Sequence, residues 1–400
     1  MNVTVQPQPA PAPPPSRFVR VDQARLRFGG QVDRLGAFFA LGDPLADRAA
    51  AALARLPRPL RDSLVATALE KGVDACDQAP EALRDLFGSL EHVPFWFEAA
   101  RAARGGRAFL RTGVLGGLVL AFASLVLGYC SPAGNKPLAL SGRLRENAPR
   151  RLAETSRFVQ AVSLPQGVER YGDGFAIAVR VRLMHAQVRR MCQASPGWDN
   201  RAWGTPINQV DMAGTVLLFS VIVIDGLAKL GFPLRPDESE DLLHLWRRVG
   251  SVLGVAEELL PTSERDARRL WDLIASTQEA PDADARALAK ALIEGGVHRA
   301  SNAEERREAS RRAAIGYGLS RYLVGQEVAD ALGYPRARWK AVLPLLSATF
   351  RTTLGAARHI SALDSWLASV GEQRWHAVVS EGLGAAPATF AMPESLGASE

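Results

Sequence analysis

The sequence predicts an all-α protein built as a single large helical domain. Strand signals are scarce, and long segments rich in alanine, leucine and arginine are separated by glycine and proline. Hydrophobic residues make up 47% of the 400 residues and charged residues 22%, which is typical of a globular chain with a sizeable core. We expect this domain to cover residues 16–384, between a disordered proline-rich tail at 1–15 and a weakly ordered stretch at 385–400.

Apolar periodicity and start signals place the helices along the chain. Asp43-Pro44 and Asp237-Glu238 put acidic side chains in a first turn, and Thr205-Pro206 puts a capping hydroxyl before a proline. GYGLSR, at 316–321, is predicted to be a loop. The predicted helices are 43–55, 59–71, 79–90, 113–129, 149–161, 173–194, 209–230, 237–249, 264–277, 283–294, 303–315, 323–331, 336–354 and 361–368.

Two predicted helical runs, 113–128 and 213–231, are apolar almost throughout. The first follows several arginines, as a membrane anchor with a basic flank does, but it is short for a span. The second contains Ser220 and Asp225. We expect both runs to be central helices buried on all sides, where they can wall an apolar pocket, and membrane association is the alternative.

Composition and missing motifs exclude several function classes. The net charge of +6 is dilute over this length, and no segment interleaves basic and aromatic residues, so no nucleic-acid partner is expected. The three cysteines form no CxxC pair, which argues against a structural zinc site, a disulfide framework and a covalent c-type haem. HExxH, paired ExxH, GxSxG, Walker and GxGxxG motifs are absent, which disfavours hydrolase, kinase and nicotinamide chemistry. The N-terminal segment lacks the pattern of a secretion signal, which predicts a cytoplasmic protein.

One histidine lies on an apolar helix face, where a buried imidazole needs a hydrogen-bond partner or a ligand. On the predicted helix 173–194, His185 shares its face with Val181, Val188 and Cys192. Arg182 and Arg189 lie at the edges of this face. The partner of a buried imidazole is either a backbone carbonyl of the core or a group that the chain binds.

The other histidines give weaker signals. His244 follows Glu240 by one helical turn and is expected to make an ion pair or hydrogen bond on the helix surface. His298, His359 and His376 resemble helix-end or loop residues.

A second polar set lies upstream, in RRLAETSRFV at 150–159. Arg151, Thr155 and Phe158 share one helix face, which puts a polar point on an apolar wall. The alternative is an arginine that reaches solvent and a threonine that bonds to its own helix. Together with His185 and its flanking arginines, the set would suit a flat apolar cofactor with anionic edges. Haem is such a cofactor, with Arg182 and Arg189 available to its propionates, although the residues alone do not select it.

Four segments, taken in order, resemble the latex clearing proteins and the related oxygenases of the mycophenolic acid pathway. The resemblance runs over roughly residues 110–262. It implies a largely helical fold around one non-covalent haem b, and cleavage of carbon–carbon double bonds with O2 to carbonyl products. The segments are RRLAETSRFV, RVRLMHAQVRRM, WGTPINQVDMAGTVLLFS and HLWRRVGSVLGVAEELLP.

The resemblance also implies roles for single residues. His185 would be the proximal iron ligand, and Arg151 and Thr155 would lie in the haem environment. Glu154 stands where the rubber-cleaving branch has a lysine, so it would act as a base or point to solvent. Because no secretion signal is evident, a lipophilic alkene smaller than rubber, such as a terpenoid or an unsaturated lipid, is the expected substrate.

The remaining expectations concern the segment 203–220 and the alternatives to alkene cleavage. Asn208, Gln209 and Asp211 are expected to fix a helix start, and Asp211 and Thr215 could hydrogen-bond each other. The first alternative is a haem protein of the same fold with peroxidase, mono-oxygenase or isomerase activity. The second is a metal-free helical protein that binds an anionic lipid or a membrane surface.

Overall fold

The structure is a computed structural model that describes residues 13–140, 148–298, 300–336, 347–348, 361–384, 388, 390 and 392–393. These residues are mostly helical and contain no strand, so the predicted all-α class is confirmed. Most of the predicted helix 336–354 and nearly all of the N-terminal tail lie outside the described residues. The predicted domain boundaries stay predictions.

The helices of the described residues follow each other closely, and a π-helical turn at Leu120–Ser124 joins two of them. They are α1 (Val21–Phe28), α2 (Gln31–Phe38), α3 (Pro44–Leu53), α4 (Arg58–Lys71), α5 (Glu81–Glu91), α6 (Ala99–Leu110), α7 (Val114–Val119), α8 (Leu125–Tyr129), α9 (Pro132–Leu140), α10 (Ala148–Ser163), α11 (Asp173–Ala194), α12 (Asn200–Trp203), α13 (Gln209–Phe219), α14 (Val221–Lys229), α15 (Pro236–Val252), α16 (Glu264–Thr277), α17 (Ala283–His298), α18 (Ala303–Val324), α19 (Gln326–Ala331) and α20 (Ser361–Leu383).

Two of the three predicted helix starts are confirmed. Asp43 caps α3, because its carboxylate accepts a hydrogen bond from the Ala46 backbone N–H at 3.2 Å. In α15 the carboxylate of Glu238 accepts from the backbone N–H of Arg235 at 2.9 Å. The start predicted at Thr205-Pro206 was wrong, because the Thr205 hydroxyl instead donates to a backbone carbonyl of the α2–α3 connection.

Several helices differ from their predicted bounds for local reasons. The predicted helix 209–230 is broken at Ser220, whose backbone (φ −115°, ψ −87°) is not helical. GYGLSR lies inside α18, so the predicted loop was wrong. The helix α6 was missed because of its two adjacent glycines. They mark close helix packing, since a Cβ on Gly105 would lie 2.2 Å from the Asp241 backbone oxygen.

The long helix α11 lies in the main core, where it packs against α3, α10 and α15. The helix α6 packs against both α15 and α10. A smaller apolar cluster joins α8, α17, α18 and α19 around the edge-to-face pair of Tyr317 and Tyr334. The centre of α11 is therefore held from several directions, which suits a rigid binding site.

Within the described residues, the stretch Gln209–Lys229 is long and apolar enough to cross a membrane. Of its most apolar window, 67% is buried inside the protein. The helices α6 and α7–α8 would qualify together only as a broken span, because they are bent by 86° relative to each other.

Candidate functional site

His185 lies half-buried on α11, on the face that the sequence predicted to be apolar. Its Nδ1 atom is fully buried and has no hydrogen-bond partner among the described residues. Burial and, to a lesser extent, the positive charge of Arg189 lower the pKa of His185 to about 4, although Asp43 opposes the shift. The imidazole is therefore neutral at pH 7, which is the state in which histidine binds metals.

The flanking Arg182 is buried and forms a two-pronged ion pair with Asp43, with N–O distances of 2.6 and 3.0 Å. Gly254 makes room for this pair, because a Cβ there would lie 2.2 Å from the Asp43 carboxylate. The backbone of Gly254 also has φ +84°, a conformation that favours glycine. Chain geometry and side-chain packing thus both require glycine at this position.

Arg189 has protein partners too. Its guanidinium forms an ion pair with Asp47 and donates hydrogen bonds to the backbone oxygens of Pro206 at 3.0 Å and Ile207 at 2.9 Å. Asp47 lies one turn after Asp43, so the two acids of α3 match the two arginines of α11. A cofactor contact for Arg182 and Arg189 stays a prediction, and their described partners are protein groups.

The polar set predicted on α10 is described only in part. Glu154 is half-buried and makes an ion pair with Arg150 at 3.3 Å. Thr155 lies on an exposed side of the helix, and the side chain of Arg151 lies outside the described residues. The structure brings α10 directly against α11, since a Cβ on Gly174 would lie 2.7 Å from the Val162 backbone. Cofactor contacts for these residues stay predictions.

The start of α13 is fixed by polar side chains, as the sequence predicted. Asn208 caps the helix by accepting from the Asp211 backbone N–H at 3.0 Å. The Asp211 carboxylate pairs with Arg17 at 2.8 Å. The predicted hydrogen bond between Asp211 and Thr215 is present, because the Thr215 hydroxyl donates to the Asp211 backbone oxygen at 2.8 Å.

Gln209 connects the start of α13 to the Arg182–Asp43 pair. Its side-chain amide donates to the backbone oxygens of Gly42 at 2.7 Å and Gly254 at 3.0 Å. Its side-chain oxygen accepts from the Ala256 backbone N–H at 2.7 Å. The two glycines that Gln209 joins flank the ion pair, which is therefore held between fixed backbone segments.

His244 is buried, so the predicted surface ion pair was wrong. Its Nε2 accepts a hydrogen bond from the Glu98 backbone N–H at 3.0 Å, and its ring is parallel to that of Phe97. Burial lowers the pKa of His244, and the nearby Arg101 lowers it further. The reason for the error is that α6 and the segment before it cover this face of α15.

The remaining histidines of the described residues belong to no group that could hold a metal ion. His298 ends α17 with its ring 3.8 Å from Glu294, as expected for a helix-end residue. His376 lies within α20, so its predicted helix-end or loop position was wrong. His359 lies outside the described residues.

Sequence reasoning did not find Asp43 and Asp47 as the partners of the two arginines. The available signal was their spacing of four residues, because two acids one helical turn apart lie on the same face and can meet a single neighbouring helix. Among the described residues, no group of three or more His, Cys, Asp and Glu side chains could hold a metal ion. A metal at His185 would therefore have to bring most of its other ligands with it.

A family model and a known protein match the sequence of this chain. A family model described as "ER-bound oxygenase mpaB/B'/Rubber oxygenase, catalytic domain" matches residues 110–359. The rubber oxygenase of Streptomyces sp. (strain K30) is 25% identical over 272 residues, which are 68% of this chain and 64% of that protein. The match thus spans less than two-thirds of the relative's length.

A solved structure shares the fold. The latex clearing protein LCP in its closed state superposes with a TM-score of 0.65 at 22% sequence identity. The alignment covers 85% of this chain and 90% of that chain. At this identity the likeness establishes the helical architecture of the chain.

Proposed function

The chain belongs to the family of the ER-bound mpaB/B' oxygenase and rubber oxygenase catalytic domains, and from this premise we propose that it is a haem b-dependent dioxygenase. Its substrate is a lipophilic alkene of isoprenoid type. Both atoms of O2 are transferred to the two carbons of one double bond, which yields two carbonyl products.

The observation that carries the proposal is the state of His185. Its imidazole is neutral, and its buried Nδ1 lacks a hydrogen-bond partner among the described residues. A buried polar atom without a partner costs free energy, so binding of a group that engages this ring would be favoured. His244 is the contrast within the same core, because its ring already has a backbone partner.

The chemistry of the available donors fits haem. One neutral imidazole is enough to hold a haem iron, because the porphyrin supplies most of the other ligands. When bound, haem supplies an iron centre at which dioxygen can bind and be activated. In this proposal His185 would hold the iron, and Arg151 and Thr155 would orient the cofactor or donate hydrogen bonds to developing negative charge on oxygen.

The apolar helices around the core support a lipophilic substrate. The segment α7–α8 carries a π-turn, and such turns occur frequently at functional sites. Ser124, in this turn, donates a hydrogen bond to the Leu218 backbone oxygen at 2.7 Å, which ties the turn to α13. We propose that α7–α8 and α13 wall the substrate pocket and exclude water from it.

The first experiment is the ultraviolet–visible spectrum of the chain expressed with a haem precursor. The parent should show a Soret band, and His185→Ala should lose or strongly alter it. His244→Ala is the matched control, since it removes a buried histidine that has a protein partner, and its band should be unchanged. A colourless parent would refute the haem proposal and favour the helical lipid-binding alternative.

The second experiment tests the reaction. The haem-loaded chain is given squalene or a terpenoid under 18O2, and the products are analysed by mass spectrometry. Two carbonyl products that contain the label, and whose carbon atoms add up to those of the substrate, would support cleavage. A single oxygenated product would favour the mono-oxygenase alternative, and turnover with peroxide alone would favour a peroxidase.

Glu154 has its own test within the same assay. Glu154→Gln keeps the size of the side chain and removes the charge that pairs with Arg150. If Glu154 acts as a base, turnover should fall by about 100-fold or more while the Soret band is retained. Unchanged turnover would assign Glu154 to the ion pair alone.

A further inference from the structure

A small cavity lies beside α11, between α3, α5 and α15. Its volume is about 240 Å³. Arg182 of α11 and Arg248 of α15 line it, together with Ser251, Leu45 and Leu90. The cavity is smaller than a typical pocket for a drug-sized ligand, so it has room for a small polar group and a short carbon chain.

Among the buried arginines of the described residues, Arg248 alone has no carboxylate partner. It is only 3% exposed, yet it makes no ion pair or hydrogen bond with any described residue, and its Nε is buried without a partner. The one described interaction of its charged group is a cation–π contact with Phe97, at 5.1 Å from the ring centroid. The other buried arginines all have carboxylate partners, and they are Arg17, Arg61, Arg111, Arg182, Arg189 and Arg321.

The charges around the cavity leave one cation without a counter-charge. Asp43 neutralises Arg182 at 2.6 Å, so the pair contributes no net charge. Arg248 then adds one uncompensated positive charge at the cavity wall. Its neighbour Arg247 differs, because it faces Trp96 and reaches Glu257 at 3.8 Å. A buried, unpaired guanidinium costs several kcal/mol unless an anion accompanies it.

We propose that this cavity binds a carboxylate, with Arg248 as the charged partner and the Ser251 hydroxyl as a further donor. The planar guanidinium matches a carboxylate in two-pronged geometry, and a singly charged anion balances the single free cation. The carboxylate comes either from a free small acid or from the propionate arm of a bound haem. Only the second source rests on the proposed function.

The site itself is tested on the full chain purified without haem. Melting temperature is measured in sodium acetate and in sodium chloride of equal ionic strength. Acetate should raise the melting temperature of the parent in a saturable way and leave Arg248→Gln unchanged. Arg247→Gln is the matched control and should keep the acetate response. An acetate response equal in the parent and Arg248→Gln, or equal to that of chloride, would overturn the proposal.

A second variant guards against misfolding. Arg248→Met removes the unpaired charge and keeps the aliphatic length, so in acetate-free buffer it should melt above the parent. Arg248→Lys keeps the charge and should keep a weaker acetate response. If Arg248→Met melts below the parent in acetate-free buffer, Arg248 is not an uncompensated charge and the proposal fails.

Haem then distinguishes the two sources. If a propionate occupies the site, haem loading abolishes the acetate response. Arg248→Gln should then weaken binding of haem by about tenfold or more, but not of its dimethyl ester, which has no carboxylate. If a free acid is the ligand, the acetate response survives haem loading and both porphyrins bind equally to parent and variant. A chain that binds no haem still gives the acetate result, so the two proposals fail separately.

Discussion

The guanidinium of Arg182 and the carboxylate of Asp43 form a buried, two-pronged ion pair one turn before His185 on α11. The two residues are 139 positions apart in sequence. The pair therefore fixes the start of α3 against the middle of α11. Through Gly254 and Gln209 it also fixes the segment after α15, so three parts of the chain meet beside the candidate iron ligand.

Removal of the negative partner should destabilise the fold strongly. Asp43→Asn keeps a good helix cap but leaves Arg182 buried without a counter-charge, which we expect to cost about 3–5 kcal/mol in the free energy of unfolding. Urea denaturation measures this change.

The control for Asp43→Asn is Asp272→Asn, which breaks an exposed ion pair with Arg27 and should have little effect because solvent screens that pair. The double variant of Asp43→Asn with Arg182→Met removes both charges and should recover part of the loss. If Asp43→Asn is as stable as the parent, the ion pair between Asp43 and Arg182 does not stabilise the fold.

Local patterns explain how much of the fold could be predicted. Helices such as α11 and α16 follow from apolar periodicity, because each buries one face against a neighbour. The helix α6 was not predicted, because Gly105 and Gly106 suggest a break when read locally. Their function is to admit the backbones of α15 and α10, and that approach is a tertiary property which local sequence does not contain.

The features of the candidate site also divide into those that local sequence predicts and those that depend on tertiary contacts. The apolar face of His185 and the cap at Asn208 are local and were predicted. The pairing of Arg182 with Asp43 and the burial of His244 depend on which distant elements meet, so periodicity within one helix could not reveal them. Arg248 was missed for a further reason, since an arginine without a partner is recognised only when the rest of its surroundings is known.

The contact between α6 and α15 predicts a sharp difference between two glycine substitutions. Gly105→Ala should destabilise the protein by about 2–3 kcal/mol, because its Cβ would lie 2.2 Å from the Asp241 backbone oxygen and the helices must move apart. Gly117→Ala, in α7, has no heavy atom within 4 Å of the added Cβ and should be neutral or stabilising by about 0.5–1 kcal/mol. Thermal and urea denaturation of both variants check this, and equal effects would refute the packing argument.

The side chain of Gln209 should contribute more to stability than an exposed glutamine does. Gln209→Met preserves the shape but removes the hydrogen bonds to Gly42, Gly254 and Ala256, so we expect a loss of about 3 kcal/mol. Gln193→Met, on the exposed face of α11, should change stability by less than about 0.5 kcal/mol. Urea denaturation of the three proteins provides the comparison. If Gln209→Met and Gln193→Met change the free energy of unfolding equally, the hydrogen bonds of Gln209 do not stabilise the fold.

The burial of His244 predicts a pH dependence of stability. Its pKa in the folded chain lies below the ordinary value of about 6.5, so the unfolded chain takes up a proton that the folded chain does not. The resulting stability is fully present above pH 6.5 and is lost as the pH falls below that value. Protonation would also break the hydrogen bond in which His244 accepts from the Glu98 backbone N–H.

The measurement is the free energy of unfolding of the haem-free chain at pH 7 and pH 5, by urea denaturation, in the parent and in His244→Gln. Glutamine can still accept the hydrogen bond from Glu98 but does not titrate, so the variant should lose less stability than the parent between the two pH values. The difference between the two proteins isolates His244 from the other acid-sensitive groups, which are common to both. His298→Gln is the control for the substitution itself, because it replaces an exposed histidine with glutamine. A parent and a His244→Gln variant that lose equal stability would show that His244 titrates alike in the folded and unfolded chains, contrary to its burial against Phe97.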